Sequence, residues 1–363
     1  MTRLHNFSAG PGVLPLTVLA EAQEALLEFG NSGIGIMEMS HRSAEFESVL
    51  NSAITRLQGL LSIPKSYRVL FCTGGATQQF SAVPMNILRS GECGGYILSG
   101  SWSEKAEEEA RKFGPTAILA SSKAEKYRAI PAFDPAYLTA QAFPLSYLHI
   151  TSNNTIFGTQ YRNEPETGSV PLVADCSSDL LHRPLDVAKY GLIYASAQKN
   201  LGPAGVTIVI IREDLLERSA AELPIMTSYR TYSESNSLYN TPPTFPIFVV
   251  ERVLDWIETL GGLGAISERN QRKAQLVYDE IDRTDFYAGH AAKDHRSLMN
   301  ITFTLKDSSL EKKFLENAEK AGLSGLKGHR SVGGCRASMY NSLPEESAKA
   351  LVDFMREFER TNG

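Results

Sequence analysis

Between about residues 16 and 260, short apolar runs alternate with stretches of helical period, and this alternation leaves the chain few folds to adopt. Arg68–Thr73, Gly95–Leu98, Tyr147–Thr151, Leu172–Asp175, Leu192–Ala195 and Val206–Ile211 are too short for buried helices and carry apolar residues at successive positions. Such strands are covered on both faces, which predicts a largely parallel sheet sandwiched by helices, an α/β fold. The clearest intervening helix follows Trp102. There Ser103 can cap, Glu107 and Glu108 stand four residues before Arg111 and Lys112, and Gly114 closes the element.

After Gly261-Gly262 the pattern changes. A long helix ("AISERNQRKAQLVYDEI"), a strand-like "LMNITFTL" and a helix around "LEKKFLENAEKAG" lead to a last helix with Leu351, Phe354, Met355 and Phe358 on one face. Ser342-Leu343-Pro344-Glu345 reads as the cap of that helix. The expected organisation is an N-terminal segment 1–15 packing with the small domain, a large domain 16–260, and a small α+β domain 261–363.

Net charge is −5, so no basic surface calls for nucleic acid or an anionic membrane. The longest strongly apolar run is too short to span a bilayer. Cys72, Cys93, Cys176 and Cys335 are scattered, which speaks against zinc or a disulfide framework. With no apolar leader after Met1, the expectation is a cytoplasmic protein without a metal site.

In a parallel α/β sheet, ligands gather beyond the C-terminal strand ends. The first run is followed by "GGATQQF", where the amides of Ala76 and Thr77 open a helix and can hold an anion. Trp102 follows the second run and Thr155 the third; Asp175 ends the fourth and Lys199 lies just past the fifth. Each has an ordinary reading: a tight turn, a packing aromatic, a helix cap, a surface lysine. Together they supply an anion cradle, a flat aromatic, a carboxylate and an amine on one sheet edge. Pyridoxal 5′-phosphate needs that set: a lysine for a Schiff base, an acid against its ring nitrogen, donors for its phosphate and a stacking surface.

The stretches "NFSAGPGVLP", "MEMSHRSAEF", "GGATQQF", "SGSWSEKA", "ADCSSDLLHRPLD", "YASAQKNLGPAGVTIVIIRED", "YNTPPTFPIF" and "GLKGHRSVGGCRASMYN" together resemble the phosphoserine aminotransferase family. That family lies in the class V group of fold-type I pyridoxal-phosphate enzymes, and the likeness runs over essentially the whole chain. It implies that Lys199 carries the cofactor, Asp175 faces its ring nitrogen, Trp102 stacks on its ring and Thr155 meets its phenolic oxygen. It implies that Ala76, Thr77, Ser177 and Gln198 hold the phosphate, one cofactor per subunit. In a homodimer, Asn240 and Thr241 would complete the partner's phosphate site. Thr77 departs from relatives that carry arginine there.

Charge gives an independent view of the substrate. His-Arg-Ser occurs at His41-Arg42-Ser43 and again at His329-Arg330-Ser331, with Arg336 just beyond. Two His-Arg pairs can meet a phosphate ester of about −1.5 to −2 charge, and one arginine can grip a carboxylate bidentately. O-Phospho-L-serine and 3-phosphohydroxypyruvate carry both groups, and L-glutamate offers a second carboxylate in place of phosphate. By the resemblance, His41 and Arg42 reach the site from the partner subunit, and the reaction serves L-serine synthesis, with 4-phosphohydroxy-L-threonine a further candidate substrate for pyridoxine synthesis. His182-Arg183 is read as solvated surface. The alternatives are an aminotransferase for serine or alanine with glyoxylate or pyruvate, a lyase or desulfurase using Cys335, and a binding protein on a retired enzyme fold.

Overall fold

The computed structural model describes residues 3–219 and 222–363. Seven strands form the central sheet: β1 (Tyr67–Thr73), β2 (Cys93–Leu98), β3 (Thr116–Ser121), β4 (Leu145–Thr151), β5 (Leu172–Asp175), β6 (Leu192–Ser196) and β7 (Val206–Arg212), in the order β1-β7-β6-β5-β4-β2-β3. All pairings from β6 across to β3 are parallel, while β7 lies antiparallel between β6 and β1. The α/β expectation therefore holds. β1, β4, β5 and β6 all end on one edge, with the beginning of β7 beside them: Thr73 pairs with Val206, Thr151 with Asp175, and Ser196 with Thr207.

Every residue of β2 is buried, as continuous apolar runs require. β3 was not anticipated. It lies at the sheet border, Ile118 is exposed, and its small residues carry no pattern of burial on both faces.

Helices α1 (Leu16–Leu27), α2 (Ala44–Leu60) and α5 (Thr244–Thr259) pack on one apolar layer of the sheet, while α3 (Ala76–Ile87) and α4 (Ser101–Ala110) border the other. Helix α4 begins earlier than its sequence suggests. Gly100 is the N-cap, and the Ser103 hydroxyl, at the third helical position, accepts from the Ser99 and Gly100 amides at 3.0 and 3.1 Å. Trp102 therefore rides on the first helical turn. Glu107 does pair with Arg111 at 3.0 Å, but Lys112 turns to Glu109 rather than Glu108.

A separate apolar core gathers α6 (Gly262–Arg283), α7 (Glu311–Lys320), α8 (Glu345–Asn362) and the antiparallel strands β8 (Tyr287–Gly289), β9 (Asn300–Leu305) and β10 (Cys335–Ser338). Leu351 and Met355 of α8 are fully enclosed and Phe358 nearly so, each burial contributing about 1.5–3 kcal/mol. Pro344 is the N-cap of α8, and no side chain caps it; Ser342 does not serve. Proline sets the entry angle and the acidic first turn, Glu345 and Glu346, suits the helix dipole. The N-terminal segment crosses to this core: His5–Asn6 pairs in parallel with Leu323–Ser324, and Phe7 is buried within it.

Candidate active site

Asp175 closes β5, and its register partners are Thr151 on one side and Tyr194 on the other. Its side chain is buried and Oδ1 accepts the Ser177 amide at 3.0 Å. Burial raises its pKa above the usual carboxylate range, while the Lys199 charge and the Ser177 bonds pull against that rise. A cationic ring nitrogen placed against Asp175 would supply the counter-charge this burial calls for.

Lys199 lies on a tight turn just after β6, where the amides of Leu201 and Gly202 both return to the Ala197 carbonyl. Burial lowers the pKa of its amine, Arg336 adds to the fall, and Asp175 and Asp179 oppose it. Nζ stands 5.4 Å from the centre of the Trp102 ring. The N-terminal loop closes over this lysine. The Gly12 amide donates to the Gln198 carbonyl at 2.7 Å, and a Cβ at Gly12 would sit 2.6 Å from the Lys199 carbonyl oxygen. Only glycine permits that approach.

Trp102 is half-buried, and its Nε1 donates to Thr155 Oγ1 at 3.1 Å, which fixes the plane of the indole. Thr155 is buried in the loop after β4; its hydroxyl proton stays available for another acceptor. Ala76 and Thr77 open α3, whose first amides have no partner inside the helix. They adjoin the turn of Lys199, since a Cβ on neighbouring Gly75 would lie 3.7 Å from Ser196 Oγ. Ser177 Oγ accepts the Ser196 amide at 3.1 Å, and the Ser196 hydroxyl donates to Gln198 Oε1. The Ser177 hydroxyl proton and the Gln198 amide nitrogen therefore remain free to donate. Ser196 links these donors, touching Ser177, Gln198 and the start of α3, and Lys199 stands beside the Trp102 ring. The donor set fits pyridoxal 5′-phosphate.

The opposite wall comes from the C-terminal core. Arg336 on β10 is half-buried, and its Nη1 donates to the Thr155 carbonyl at 3.0 Å. His329 lies in the glycine-rich loop before β10, with Nδ1 2.7 Å from Ser331 Oγ. Gly334 in that loop has φ +62°, and a Cβ there would come within 2.5 Å of the Phe303 carbonyl oxygen. Burial lowers the His329 pKa first, and the charges of Arg336, Arg330 and Lys105 lower it further. Two of these cations are tied to the Trp102–Thr155 pair, Arg336 through the Thr155 carbonyl and Lys105 over the indole. Lys105 escaped the sequence reading. Its Nζ lies 4.7 Å from the Trp102 ring centre, and the spacing of three residues from Trp102 was the available signal.

Among the described residues, no hydrogen bond or ion pair joins His41, Arg42, Asn240 or Thr241 to this group. Arg42, Asn240 and Thr241 are exposed, and His41 is half-buried with Nε2 enclosed and unpartnered. His182-Arg183 is not solvated surface: His182 is buried, with Nε2 3.1 Å from the Gln160 amide nitrogen, and Arg183 pairs with Glu164 at 3.3 Å. The Asp179 carbonyl and the Gln160 side chain give the ring the partners that make its burial tolerable. Cys335 is fully enclosed in the C-terminal core and burial raises its thiol pKa, so it is no exposed nucleophile.

The class-V aminotransferase family model matches residues 4–351. A phosphoserine aminotransferase of Lysinibacillus sphaericus is 55% identical, over 99% of this chain and 98% of that protein. A second, from Geobacillus kaustophilus, is 55% identical over 99% of each. The solved structure of phosphoserine aminotransferase from Bacillus circulans subsp. alkalophilus superposes with TM-score 0.96 at 51% identity, covering 99% of both chains. A phosphoserine aminotransferase from Trichomonas vaginalis, solved with pyridoxal phosphate bound, superposes with TM-score 0.92 at 36% identity, covering 98% of this chain and 100% of that one. This chain belongs to the class-V aminotransferases and, among these pyridoxal-phosphate-dependent enzymes, to the phosphoserine aminotransferase family.

Proposed function

We propose that this chain transfers the amino group of L-glutamate to 3-phosphohydroxypyruvate, reversibly, giving O-phospho-L-serine and 2-oxoglutarate. The observation that carries this reading is the gathering of three cations around the Trp102–Thr155 pair: Lys199 Nζ 5.4 Å and Lys105 Nζ 4.7 Å from the indole centre, and Arg336 on the Thr155 carbonyl at 3.0 Å. When bound, the cofactor supplies a cationic ring that accepts the electrons released when the substrate loses its Cα proton.

Lys199 holds the cofactor at rest and afterwards carries the proton to and from Cα. The lowered pKa of its amine suits both the nucleophile and the base. Asp175 keeps positive charge at the ring nitrogen, Trp102 presents its face to the ring, and Thr155 donates to the phenolic oxygen. The amides of Ala76 and Thr77 with the side chains of Ser177 and Gln198 hold the phosphate. Arg336 grips the α-carboxylate bidentately.

The distal phosphate of the substrate rests among His329, Arg330 and the partner's contribution from His41 and Arg42. Asn240 and Thr241 reach the neighbouring subunit's cofactor phosphate. Exposure of Arg42, Asn240 and Thr241 within one chain supports that homodimer. The same recess accepts the side-chain carboxylate of glutamate, so one pocket serves both half-reactions. We assign residues 16–260 to a large domain and 261–363 to a small one with 1–15 attached to it; the separate C-terminal core supports this, while Leu263 and Ile266 pack into the core of the sheet. No helix among the described residues is long and apolar enough to cross a membrane, in keeping with work in the cytoplasm.

The test is a half-reaction on the cofactor-loaded protein. Phosphoserine and glutamate should each bleach the visible band and serine should not. Equal bleaching by serine and phosphoserine would favour an aminotransferase of unphosphorylated acids.

A further inference from the structure

Lys273 is a fully enclosed lysine that forms no ion pair among the described residues. It lies mid-way along α6, and its Nζ donates to three backbone carbonyls: Met339 at 3.2 Å, Tyr340 at 2.7 Å and Leu343 at 3.2 Å. An ammonium has three N–H groups and no acceptor, so this cage uses every donor it owns. Burial and the Arg269 charge lower its pKa, and Glu345 opposes them. An apolar side chain would fill the same space at lower cost, so stability alone is a poor reason for a cation here.

The caged segment, residues 339–343, connects both walls of the active site. One turn before Lys273, the enclosed Asn270 donates to Asn341 Oδ1 at 2.8 Å. The Asn341 amide in turn donates to Asn200 Oδ1 at 2.9 Å, and its side chain donates to the Leu181 carbonyl at 2.9 Å. Asn200 directly follows Lys199, and its own amide group donates to the Leu180 carbonyl at 2.6 Å. On the other side, β10 carries Arg336 into the same turn. Tyr340 adds a third tie, donating to the Ala9 carbonyl at 2.6 Å in the loop that covers Lys199.

We infer that Lys273 is a positioning residue for transamination: its carbonyl-caged ammonium holds residues 339–343 so that Asn341, through Asn200, fixes the Lys199 turn relative to Arg336. Lys273 touches neither substrate nor cofactor. It sets the separation between the group that grips the substrate carboxylate and the group that moves the proton. This rests on the roles proposed above for Lys199 and Arg336.

The test compares wild type, Lys273→Met and Asn200→Ala as cofactor-loaded proteins. Three measurements are needed: kcat and KM in both half-reactions, the dissociation constant of glutarate by calorimetry, and the melting temperature. Glutarate is a dicarboxylate with no amine to react. A displaced site should lower kcat about tenfold or more and raise KM, because sub-ångström misplacement of reacting groups is costly. Glutarate should bind several-fold more weakly to both variants. Asn200→Ala keeps the carbonyl cage but removes the acceptor of the Asn341 amide, so its melting temperature should fall less than that of Lys273→Met while its kinetics change in the same direction. Folded variants with wild-type kcat, KM and glutarate affinity overturn the inference, whatever their melting temperatures. If Lys273→Met does not fold, Asn200→Ala decides alone. A wild type that ignores phosphoserine overturns the proposed reaction instead, and glutarate binding then still decides on the clamp.

Discussion

The two walls of the cleft are built differently. The wall from the central sheet carries Asp175, Ser177, Thr155 and Lys199 on strand ends or the turns just after them, and the first three are buried. The wall from the C-terminal core carries His329 and Arg330 on a loop held by glycines, with Arg330 exposed and Arg336 half-buried. On the first wall the backbone is fixed by the strand ladder, and the side chains are oriented by bonds that leave donors over for a ligand. A group that stays bound through many turnovers suits such preorganised surroundings. In the proposed reaction the second wall takes a phosphate in one half-reaction and a carboxylate in the other. Long, partly hydrated cations on a loop can adjust to either.

The contrast can be broken most severely at Lys199. Lys199→Ala should cost about 10⁴-fold in single-turnover rate, the upper range for removal of a general base, and should abolish the visible band of the loaded protein. Glutarate binding should survive, because the other wall is untouched. Loss of glutarate binding in that variant would show that the walls are not separable. Next comes Arg336→Lys, which keeps the charge but loses the bidentate fork. It should lower kcat/KM about 10- to 100-fold for phosphoserine and glutamate alike, from the charged hydrogen bonds lost. A loss confined to one substrate would mean that Arg336 reads the distal group.

Lys105→Met sharpens the comparison at smaller scale. An exposed cation should raise KM for phosphoserine about three- to fivefold, and less for glutamate, whose distal charge is smaller. Raised salt should erase the difference. The smallest effect concerns pH. Lys199 has a native pKa below its unfolded value of 10.5, so over that interval the unfolded chain binds more protons than the native one. Stability of the cofactor-free protein should therefore rise with pH towards about pH 10, and Lys199→Met should flatten that rise in denaturant titrations.

Much of the sheet-side wall was legible in the sequence, because apolar runs announce strands and polar residues after them stand out. Asp175, Thr155 and Lys199 were found this way. Val206–Ile211 was found as a strand but its antiparallel direction was not, since β7 is buried like its parallel neighbours and the burial pattern carries no direction. β3 hid because an edge strand need not be apolar throughout. The C-terminal wall was harder. Arg336 and His329 were recognisable as cations near glycines, but Lys105 joins them only because α4 starts at Ser101, two residues before the cap read from Ser103. Lys273 was invisible for another reason: on a polar helix nothing marks the one lysine whose partners are carbonyls distant in sequence.

The pairing of His5–Asn6 with Leu323–Ser324 governs when this molecule can finish assembling as it leaves the ribosome. Synthesis runs from the N-terminus, so the central sheet can consolidate while the last hundred or so residues are still being made. The opening segment, with the glycines that lie over Lys199, finds its strand partner only after Leu323 and Ser324 have been made. A nascent chain released before that point would lack this tether on the loop over Lys199.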